Sequence, residues 1–258
     1  MGVRTAHQAV VDALAGDIAA GRYRPGDSLP VEQDLCTAFS VSRTTIREAL
    51  KTLSAKGIVS VRPKTGTRIL PRESWSLLDP DVFAWRMSGI VDDELITDLI
   101  DTRMVFEPEA AALAAQRATG EDIAGLRAAF AAMAQAAQGE GSYTEADLRF
   151  HTCLLHATHN QFLVQLVPVI TSMLRFSFRL SVLSQARAIT SLPLHEAVLV
   201  AVVGGDAQGA REATRVLIGS AQRDIRDRTG LPLPGRAEDA DALVQDAHQV
   251  AHQVAPTP

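Results

Sequence analysis

The feature that most constrains this sequence is a change of period at Gly57, between three helical patterns and two short strand patterns. Apolar residues recur at helical spacing in 7–20, 30–39 and 42–57, where Ser42 is a good N-cap and Gly57 a good stop. Apolar and polar residues then alternate on both sides of a PKTG turn. The order helix, helix, helix, hairpin predicts a winged helix-turn-helix.

The rest of the chain shows helical patterns and no strand pattern. These patterns lie near 81–87, 92–118, 120–138, 142–158, 161–184, 192–204 and 207–228. A succession of helices without strands favours a helical bundle. We therefore predict a mainly α protein with a winged helix-turn-helix domain in 1–70, a linker in 71–80, an all-α effector-binding and dimerisation domain in 81–230, and a disordered tail in 231–258.

Charge is divided unevenly between the two predicted domains. The chain as a whole has a formal net charge of −5. Residues 1–70 contain ten Lys or Arg and six Asp or Glu, which gives +4 and leaves −9 for the remainder. A basic head on an acidic body is typical of a protein that contacts nucleic-acid phosphates with one end only.

The sequence also indicates where the protein works. The N-terminal segment lacks the apolar core of a signal peptide, and no apolar run reaches the ~20 residues that a membrane helix needs. The two cysteines, Cys36 and Cys153, fall in different predicted domains, which favours reduced thiols over a disulfide. We expect a cytoplasmic protein that does not contact a membrane.

The third predicted helix presents small and basic side chains at its N-terminal end. Arginines there can reach guanine edges or phosphates, while threonines are short enough to let the backbone approach DNA. A glycine at the tip of the hairpin leaves room for an adjacent groove. The predicted DNA-binding residues are Arg43, Thr44, Thr45, Arg47, Lys51, Lys64 and Gly66.

A second set of polar residues falls on helical patterns in the predicted bundle. Arg103 lies on an apolar face, where a guanidinium needs an anionic partner: either Glu107 one turn later or the carboxylate of a ligand. Asp147 and His151 are spaced i, i+4, so both project from one helix face and can hold one cation or one polyol. His195 opens a later helix. Effector binding is predicted at Arg103, Asp147, His151 and His195.

The head sequence LPVEQDLCTAFSVSRTTIREALKTLSAKGIVSVRPKTGTRI closely resembles the signature of the GntR family of bacterial transcription regulators. The resemblance implies DNA contacts from Arg43, Thr44, Thr45, Arg47 and Gly66. It also implies a homodimer whose two recognition helices bind successive major grooves of a palindromic operator. Many relatives carry Arg where this chain carries Gln33, which implies a weaker contact or none at that position.

The body resembles the FCD ligand-binding domain of the FadR-type subgroup, in DTRMVFEPEAAALAA, ADLRFHTCLLHATHNQFL and LHEAVLVAVVGGDAQGAREATRVL. In that family an Asp, the His four residues later and two further His commonly bind a divalent metal, which helps to hold an organic-acid effector. Asp147, His151 and His195 match this set, and Leu217 stands at the last His position. The resemblance implies a three-residue site for zinc, manganese or nickel, or a site without metal.

The linker sequence SWSLLDPDVFAW resembles that of regulators of sugar-acid catabolism, among them galactonate-responsive repressors. This resemblance implies that an aldonate such as galactonate or gluconate offers a carboxylate to Arg103. Its hydroxyls would be bound by the remaining predicted effector residues, which are Asp147, His151, Asn160, Arg175 and His195. We therefore expect a repressor that an aldonate releases from its operator.

Other interpretations of the body fit the same residues. The effector can instead be a simple hydroxy or dicarboxylic acid held through a divalent metal. The body can also be a dimerisation module without an effector, in which Arg103 pairs with Glu107 and the histidines are structural. A metal-dependent enzyme would further need a positioned general base and a nucleophile, and no motif supplies them.

Overall fold

A computed structural model describes residues 5–62, 66–180 and 185–229. The chain divides into two compact units, Met1–Asp92 and Asp93–Pro258. The first contains helices, a hairpin and a short 3-10 turn, and the described part of the second is entirely helical between its turns. The predicted fold class is thus confirmed. The predicted tail, 231–258, lies outside the described residues.

The first unit begins with the elements that the sequence predicts. They are the helices α1 (Ala6–Ala19), α2 (Glu32–Phe39) and α3 (Arg43–Ala55), followed by the strands β1 (Val59–Arg62) and β2 (Gly66–Ile69). The strands are antiparallel, with Val59 opposite Ile69 and Arg62 opposite Gly66. Residues 26–29 bond along the other edge of β2, so the connector between α1 and α2 also supports the wing.

The first unit continues beyond the hairpin through a 3-10 turn (Arg72–Ser74) and the helix α4 (Pro80–Ser88). Trp75, Val82 and Trp85 are buried in the same apolar core as α1 and α3. Trp85 Nε1 also donates a hydrogen bond of 3.1 Å to Asp12 on α1. The compact unit therefore extends past the predicted linker, because the apolar side chains of that segment are buried in the core of the first unit.

Two glycines show how closely this segment approaches the rest of the first unit. A Cβ atom on Gly57 would lie 2.1 Å from the carbonyl oxygen of Ser74, and one on Gly89 would lie 2.2 Å from that of Ala19. Both distances are far below any real contact of a Cβ atom. Glycine is thus required at both positions for the segment to pack as it does.

The second unit contains α5 (Asp93–Arg117), α6 (Gly120–Ala137), α7 (Tyr143–Ala157), α8 (Gln161–Gln165), α9 (Val167–Leu180), α10 (Gln185–Val203) and α11 (Ala207–Thr229). The long helix α5 packs against α7, α10 and α11, and α6 packs against α7 and α10. None of the described helices is both long and apolar enough to cross a membrane.

Two helix boundaries in the second unit differ from the sequence prediction. The pattern 161–184 was predicted as one helix, but it breaks at Leu166, and Pro168 instead occupies the first turn of α9. The pattern 192–204 belongs to a helix that begins at Gln185 and continues through Pro193. Apolar residues before and after Pro193 pack into one core, which outweighs the loss of a backbone hydrogen bond there.

Candidate functional site

The exposed face of α3 carries the residues predicted to bind DNA. Arg43, Thr44, Arg47 and Lys51 are exposed, while Ile46 and Leu50 on the opposite face are buried. The α3 N-cap, Ser42, accepts a hydrogen bond of 3.1 Å from the backbone N–H of Thr45, whose side chain is half-buried. Thr45 thus contributes to the helix start as well as to the predicted DNA-binding face.

The wing places one further predicted residue within the described chain. Gly66 begins β2, is exposed, and has a φ of 79°, a conformation that favours glycine. Lys64, predicted at the tip of the wing, lies outside the described residues. The predicted DNA-binding residues that are described therefore lie on α3 and at the start of β2.

A carboxylate from α2 contacts both arginines of the recognition helix. Arg43 Nε donates to Glu32 Oε2 at 2.7 Å, and Arg47 Nε donates to both carboxylate oxygens at 3.1 Å. The hydrogen bond from Arg43 lowers the pKa of Glu32 below its ordinary value. Glu32 lies in the first turn of α2, and its contact with α3 is a finding of the structure.

A buried polar cluster lies inside the second unit. Its members are Arg103 and Glu107 from α5, Asp147 and His151 from α7, and His195 from α10, and each is at most 4% exposed. The i, i+4 spacings on α5 and α7 direct their side chains inward, and α10 adds its histidine from a third helix. In the interior Arg103 thus meets its predicted anionic partner, Glu107, and the three predicted effector and metal residues.

Glu107 connects the arginine of this cluster to one of its histidines. Arg103 Nε donates to Glu107 Oε1 at 2.6 Å, and His151 Nδ1 lies 3.1 Å from Glu107 Oε2. Burial alone would raise the pKa of Glu107, but the charge of Arg103, assisted by His151, lowers it to about 2. The carboxylate is therefore ionised at neutral pH and holds both neighbours in place.

Both buried histidines turn their Nε2 atoms toward Asp147. His195 Nδ1 lies 2.9 Å from the carbonyl oxygen of Ser191, so this nitrogen carries the proton, since only an N–H can donate to a carbonyl. Glu107 fixes His151 in the same way. His195 Nε2 lies 2.9 Å from Asp147 Oδ1, and His151 Nε2 lies 3.7 Å from Asp147 Oδ2.

This arrangement leaves buried polar atoms without hydrogen bonds. Within the described part of the chain, Asp147 Oδ2 and His195 Nε2 have no hydrogen-bond partner. Burial would raise the pKa of Asp147, but His195 and His151, when protonated, lower it below its ordinary value. Either protons on the imidazoles or a cation bound between these atoms balances the charge of the Asp147 carboxylate.

The donor set fits a divalent cation. One oxygen of Asp147 and one nitrogen each of His151 and His195 lie within 4.8 Å of one another. The contacts of the Nδ1 atoms with Glu107 and Ser191 are those that orient metal-binding histidines in proteins. Zinc, manganese and nickel, the predicted metals, all accept imidazole and carboxylate ligands.

Four members of the cluster, Arg103, Asp147, His151 and His195, line a cavity of about 40 Å³, which is larger than one water molecule requires. Leu217, which stands where the FCD resemblance places the last metal-binding His, is one of the residues that line the cavity. Hydroxyl groups also line it, and the Tyr143 hydroxyl lies 2.6 Å from Ser191 Oγ. The further lining residues are Leu174, Ser177, Phe178, Ser220, Ala221 and Ile225.

Two residues that the sequence places with the effector lie elsewhere in the described structure. Asn160 caps α8, where its side chain accepts from the N–H groups of Phe162 and Leu163. Arg175 is exposed on α9 and bonds both carboxylate oxygens of Glu145, at 2.7 and 3.1 Å. Neither residue is among those that line the cavity.

The serine and tyrosine hydroxyls of the cavity were missed by sequence reasoning. Ser191 lies four residues before His195, so its place on the same helix face was a signal that could have been used. Tyr143, Ser177 and Ser220 come from three other helices. Their meeting depends on how those helices pack, which spacing within one helix does not reveal.

Comparison with known proteins identifies both halves of the chain. Residues 6–69 match the bacterial regulatory proteins of the gntR family, and residues 98–220 match the FCD domain. The galactonate operon transcriptional repressor of Escherichia coli (strain K12) is 34% identical over 221 residues, which cover 85% of this chain and 96% of that protein.

Other relatives agree with this assignment. The HTH-type transcriptional regulator LutR of Bacillus subtilis (strain 168) is 30% identical over 202 residues, covering 76% of this chain and 90% of that protein. A solved structure of Lar, which controls expression of the Listeria monocytogenes agr system, superposes with a TM-score of 0.63 at 23% identity. It covers 88% of this chain and 99% of that one, and shows a common fold.

These matches are to transcription regulators and not to enzymes. Their family models correspond to the winged helix-turn-helix and to the helical unit that contains the buried cluster. The chain therefore belongs to the bacterial GntR family of DNA-binding transcription regulators and carries a C-terminal FCD domain.

Proposed function

We propose that this regulator is a repressor that an acidic small molecule releases from its operator. In this proposal a homodimer in the cytoplasm places two α3 helices in successive major grooves of a palindromic site. Arg43, Thr44, Thr45, Arg47 and Lys51 contact the DNA from α3, and Lys64 and Gly66 contact it from the wing. The name of the Escherichia coli relative, which describes a repressor, supports the sign of regulation.

The observation that carries the effector proposal is that the buried Oδ2 of Asp147 has no hydrogen-bond partner beside the Nε2 atoms of His151 and His195. We propose that Asp147, His151 and His195 hold a divalent cation, which would supply positive charge to bind the carboxylate of the effector. Arg103, held by Glu107 at the same cavity, contributes a second positive group. Glu107 and Ser191 orient the two histidines.

We further propose an aldonate, such as galactonate or gluconate, as the effector class. The hydroxyls of Tyr143, Ser177, Ser191 and Ser220 in the cavity wall can bond the hydroxyls of such a molecule. The name of the galactonate-operon relative points to the same class. The second candidate within this function is a simple hydroxy or dicarboxylic acid held mainly by the metal.

One observation favours a body that binds no effector. Glu107 already accepts hydrogen bonds of 2.6 and 3.4 Å from Arg103, so the guanidinium does not need a ligand carboxylate to balance its charge. In that case the second unit is a dimerisation module, and its buried polar cluster is structural. The response of thermal stability to small acids separates an effector-binding unit from a dimerisation module.

The test is the thermal stability of the full-length protein with galactonate, gluconate, lactate or succinate, each with added zinc, manganese or nickel, or with EDTA. A ligand at 100 times its Kd stabilises by about 2.7 kcal/mol, which raises the Tm by several degrees. We expect an aldonate to do so in the presence of metal. Stabilisation that persists in EDTA would indicate a site without metal, and no response to any acid would support the dimerisation module.

Two variants make this test specific to the cavity. Asp147→Asn keeps the shape of the side chain but removes the charge that would hold the cation, and should abolish the stabilisation. Arg175→Gln breaks an exposed ion pair away from the cavity lining and should leave it unchanged. Release of labelled operator DNA, followed by fluorescence anisotropy, should show the same pattern.

A further inference from the structure

Glu32 lies in a position to control how the recognition helix presents its arginines. It is the first residue of α2, and α2 is fixed to the core of the head by Leu35, which is 3% exposed. Its carboxylate contacts Arg43 and Arg47, which are one turn apart on α3. The Glu32 carboxylate is thus held by α2 and the core of the first unit, and not by the recognition helix α3 itself.

The two arginines need such an anchor to be ordered. Their side chains are 68% and 60% exposed, whereas the Glu32 side chain is 27% exposed. Like charges at i, i+4 repel, and a long exposed side chain samples many rotamers. A shared carboxylate attracts both guanidinium groups, which reduces the effect of their repulsion, and it restricts both side chains at once.

The contacts also leave the outer ends of the guanidinium groups available. Both arginines bond Glu32 through Nε, and among the described residues their terminal Nη nitrogens make no hydrogen bond. An arginine can bond guanine O6 and N7 through two nitrogens at once. Glu32 therefore orients the guanidinium groups and leaves the terminal nitrogens free to contact a base.

We propose that Glu32 is a positioning residue for operator recognition, which orders Arg43 and Arg47 for base contact and thereby sets the preference for operator over other DNA. It would not itself contact a base. Its negative charge close to the DNA-binding face also opposes binding to phosphate alone, which is the basis of nonspecific affinity. Both effects favour the operator relative to random DNA.

The experiment first selects the operator from a random-sequence duplex library with the full-length wild-type protein. Affinities for this operator and for a scrambled duplex are then measured at one salt concentration for Glu32→Gln, Glu32→Asp and Asp34→Asn. Asp34 is the matched control, because it is an exposed acidic residue on the same helix and no contact with the arginines is found for it.

We expect the ratio of operator affinity to scrambled-duplex affinity to fall about tenfold in Glu32→Gln, which is the effect of ordering two long side chains at the moment of binding. Glu32→Asp keeps the charge, but its side chain is one methylene shorter, so the affinity ratio should fall similarly in this variant. Asp34→Asn should change the ratio less than twofold. Binding to the scrambled duplex should not weaken in Glu32→Gln.

A spectroscopic measurement reports positioning directly and does not depend on the operator. In the DNA-free protein, the NMR signals of the Nε–H groups of Arg43 and Arg47 should be observable and protected from exchange with water. They should be lost in Glu32→Gln and kept in Asp34→Asn, with thermal melting confirming that each variant is folded.

The proposal is wrong if the ratio in Glu32→Gln equals that in Asp34→Asn. It is equally contradicted if Glu32→Asp behaves like wild type, because then charge alone decides. Tighter operator binding by Glu32→Gln with an unchanged ratio would make Glu32 a competitor of DNA and not a positioning residue.

Discussion

At the scale of single residues, Glu107 determines how the buried cluster must be tested. It is shared between Arg103 and His151, and all three are nearly inaccessible to water. A buried pair adds little net stability relative to apolar residues, but removal of one partner leaves an uncompensated charge. A variant at Arg103 therefore affects stability as well as ligand binding.

Arg103→Ala is expected to lower the free energy of unfolding by about 3–5 kcal/mol, because it leaves the Glu107 carboxylate buried without its main counter-charge. The double variant Arg103→Met, Glu107→Gln removes both charges and should recover a large part of that loss. Urea unfolding of the two proteins measures the difference. Equal stability of Arg103→Ala and wild type would mean that water reaches this ion pair.

The residue scale also shows what spacing within a helix can reveal. The i, i+4 pairs Arg103 with Glu107 and Asp147 with His151 were both predicted, and the structure brings both into contact. Asn160 and Arg175 were predicted as partners for the hydroxyls of an aldonate, and the structure shows Asn160 as the cap of α8 and Arg175 in an exposed ion pair with Glu145. Spacing within one helix does not place residues of other helices relative to the cavity.

At the scale of elements, α4 depends on Asp79 for both its start and its position. Asp79 caps α4 by accepting from the N–H groups of Asp81 and Val82, and it bonds Lys56 at 2.5 Å. Burial would raise the pKa of Asp79, but the hydrogen bond from Lys56 and those from the α4 backbone lower it. One carboxylate thus connects the end of α3 to the beginning of α4.

Asp79→Ala is expected to cost about 1–2 kcal/mol of stability, the usual loss for an N-cap. Because its pKa is lower when folded than the ordinary 3.8, the stabilisation is present above pH 3.8 and is lost as pH falls through the folded value. The variant should therefore show a shallower loss of stability on acidification in this range. The Asp81 side chain is 58% exposed, so Asp81→Asn should change the free energy of unfolding by less than about 0.5 kcal/mol.

The elements show which parts of the fold could be predicted and which could not. Caps and period changes located α3 and the wing to within two residues, because local signals such as Ser42 and Gly57 determine them. Pro193 was misleading in α10, because tertiary packing overrides a local helix breaker. Local signals are reliable only where packing agrees with them.

At the scale of the molecule, the first compact unit includes the segment from Leu70 to Asp92. Trp75, Val82 and Trp85 are each at most 8% exposed in the core that they share with α1 and α3. Sequence composition alone could not assign them to that core, since a short apolar stretch after a hairpin can pack on either neighbour.

A chain that ends at Asp92 should therefore fold by itself, whereas one that ends at Leu70 should be largely unfolded. Burial of each of the three side chains contributes about 1.5–3 kcal/mol to the free energy of unfolding. Loss of all three contributions is comparable with the total stability of a small domain. Far-ultraviolet circular dichroism and thermal melting of the two fragments measure this. Equal cooperative melting of both would show that the segment is dispensable.

The buried cluster has an electrical consequence for the whole regulator. Arg103 contributes one positive charge and Glu107 and Asp147 contribute two negative ones, so the sum is −1 when both imidazoles are neutral, as metal binding requires. An acid cannot be buried beside this excess unless a cation or a proton comes with it. A divalent cation changes the sum to +1, which a single carboxylate neutralises. With the proposed effector site, repression would depend on the concentration of the acid and on that of the cation.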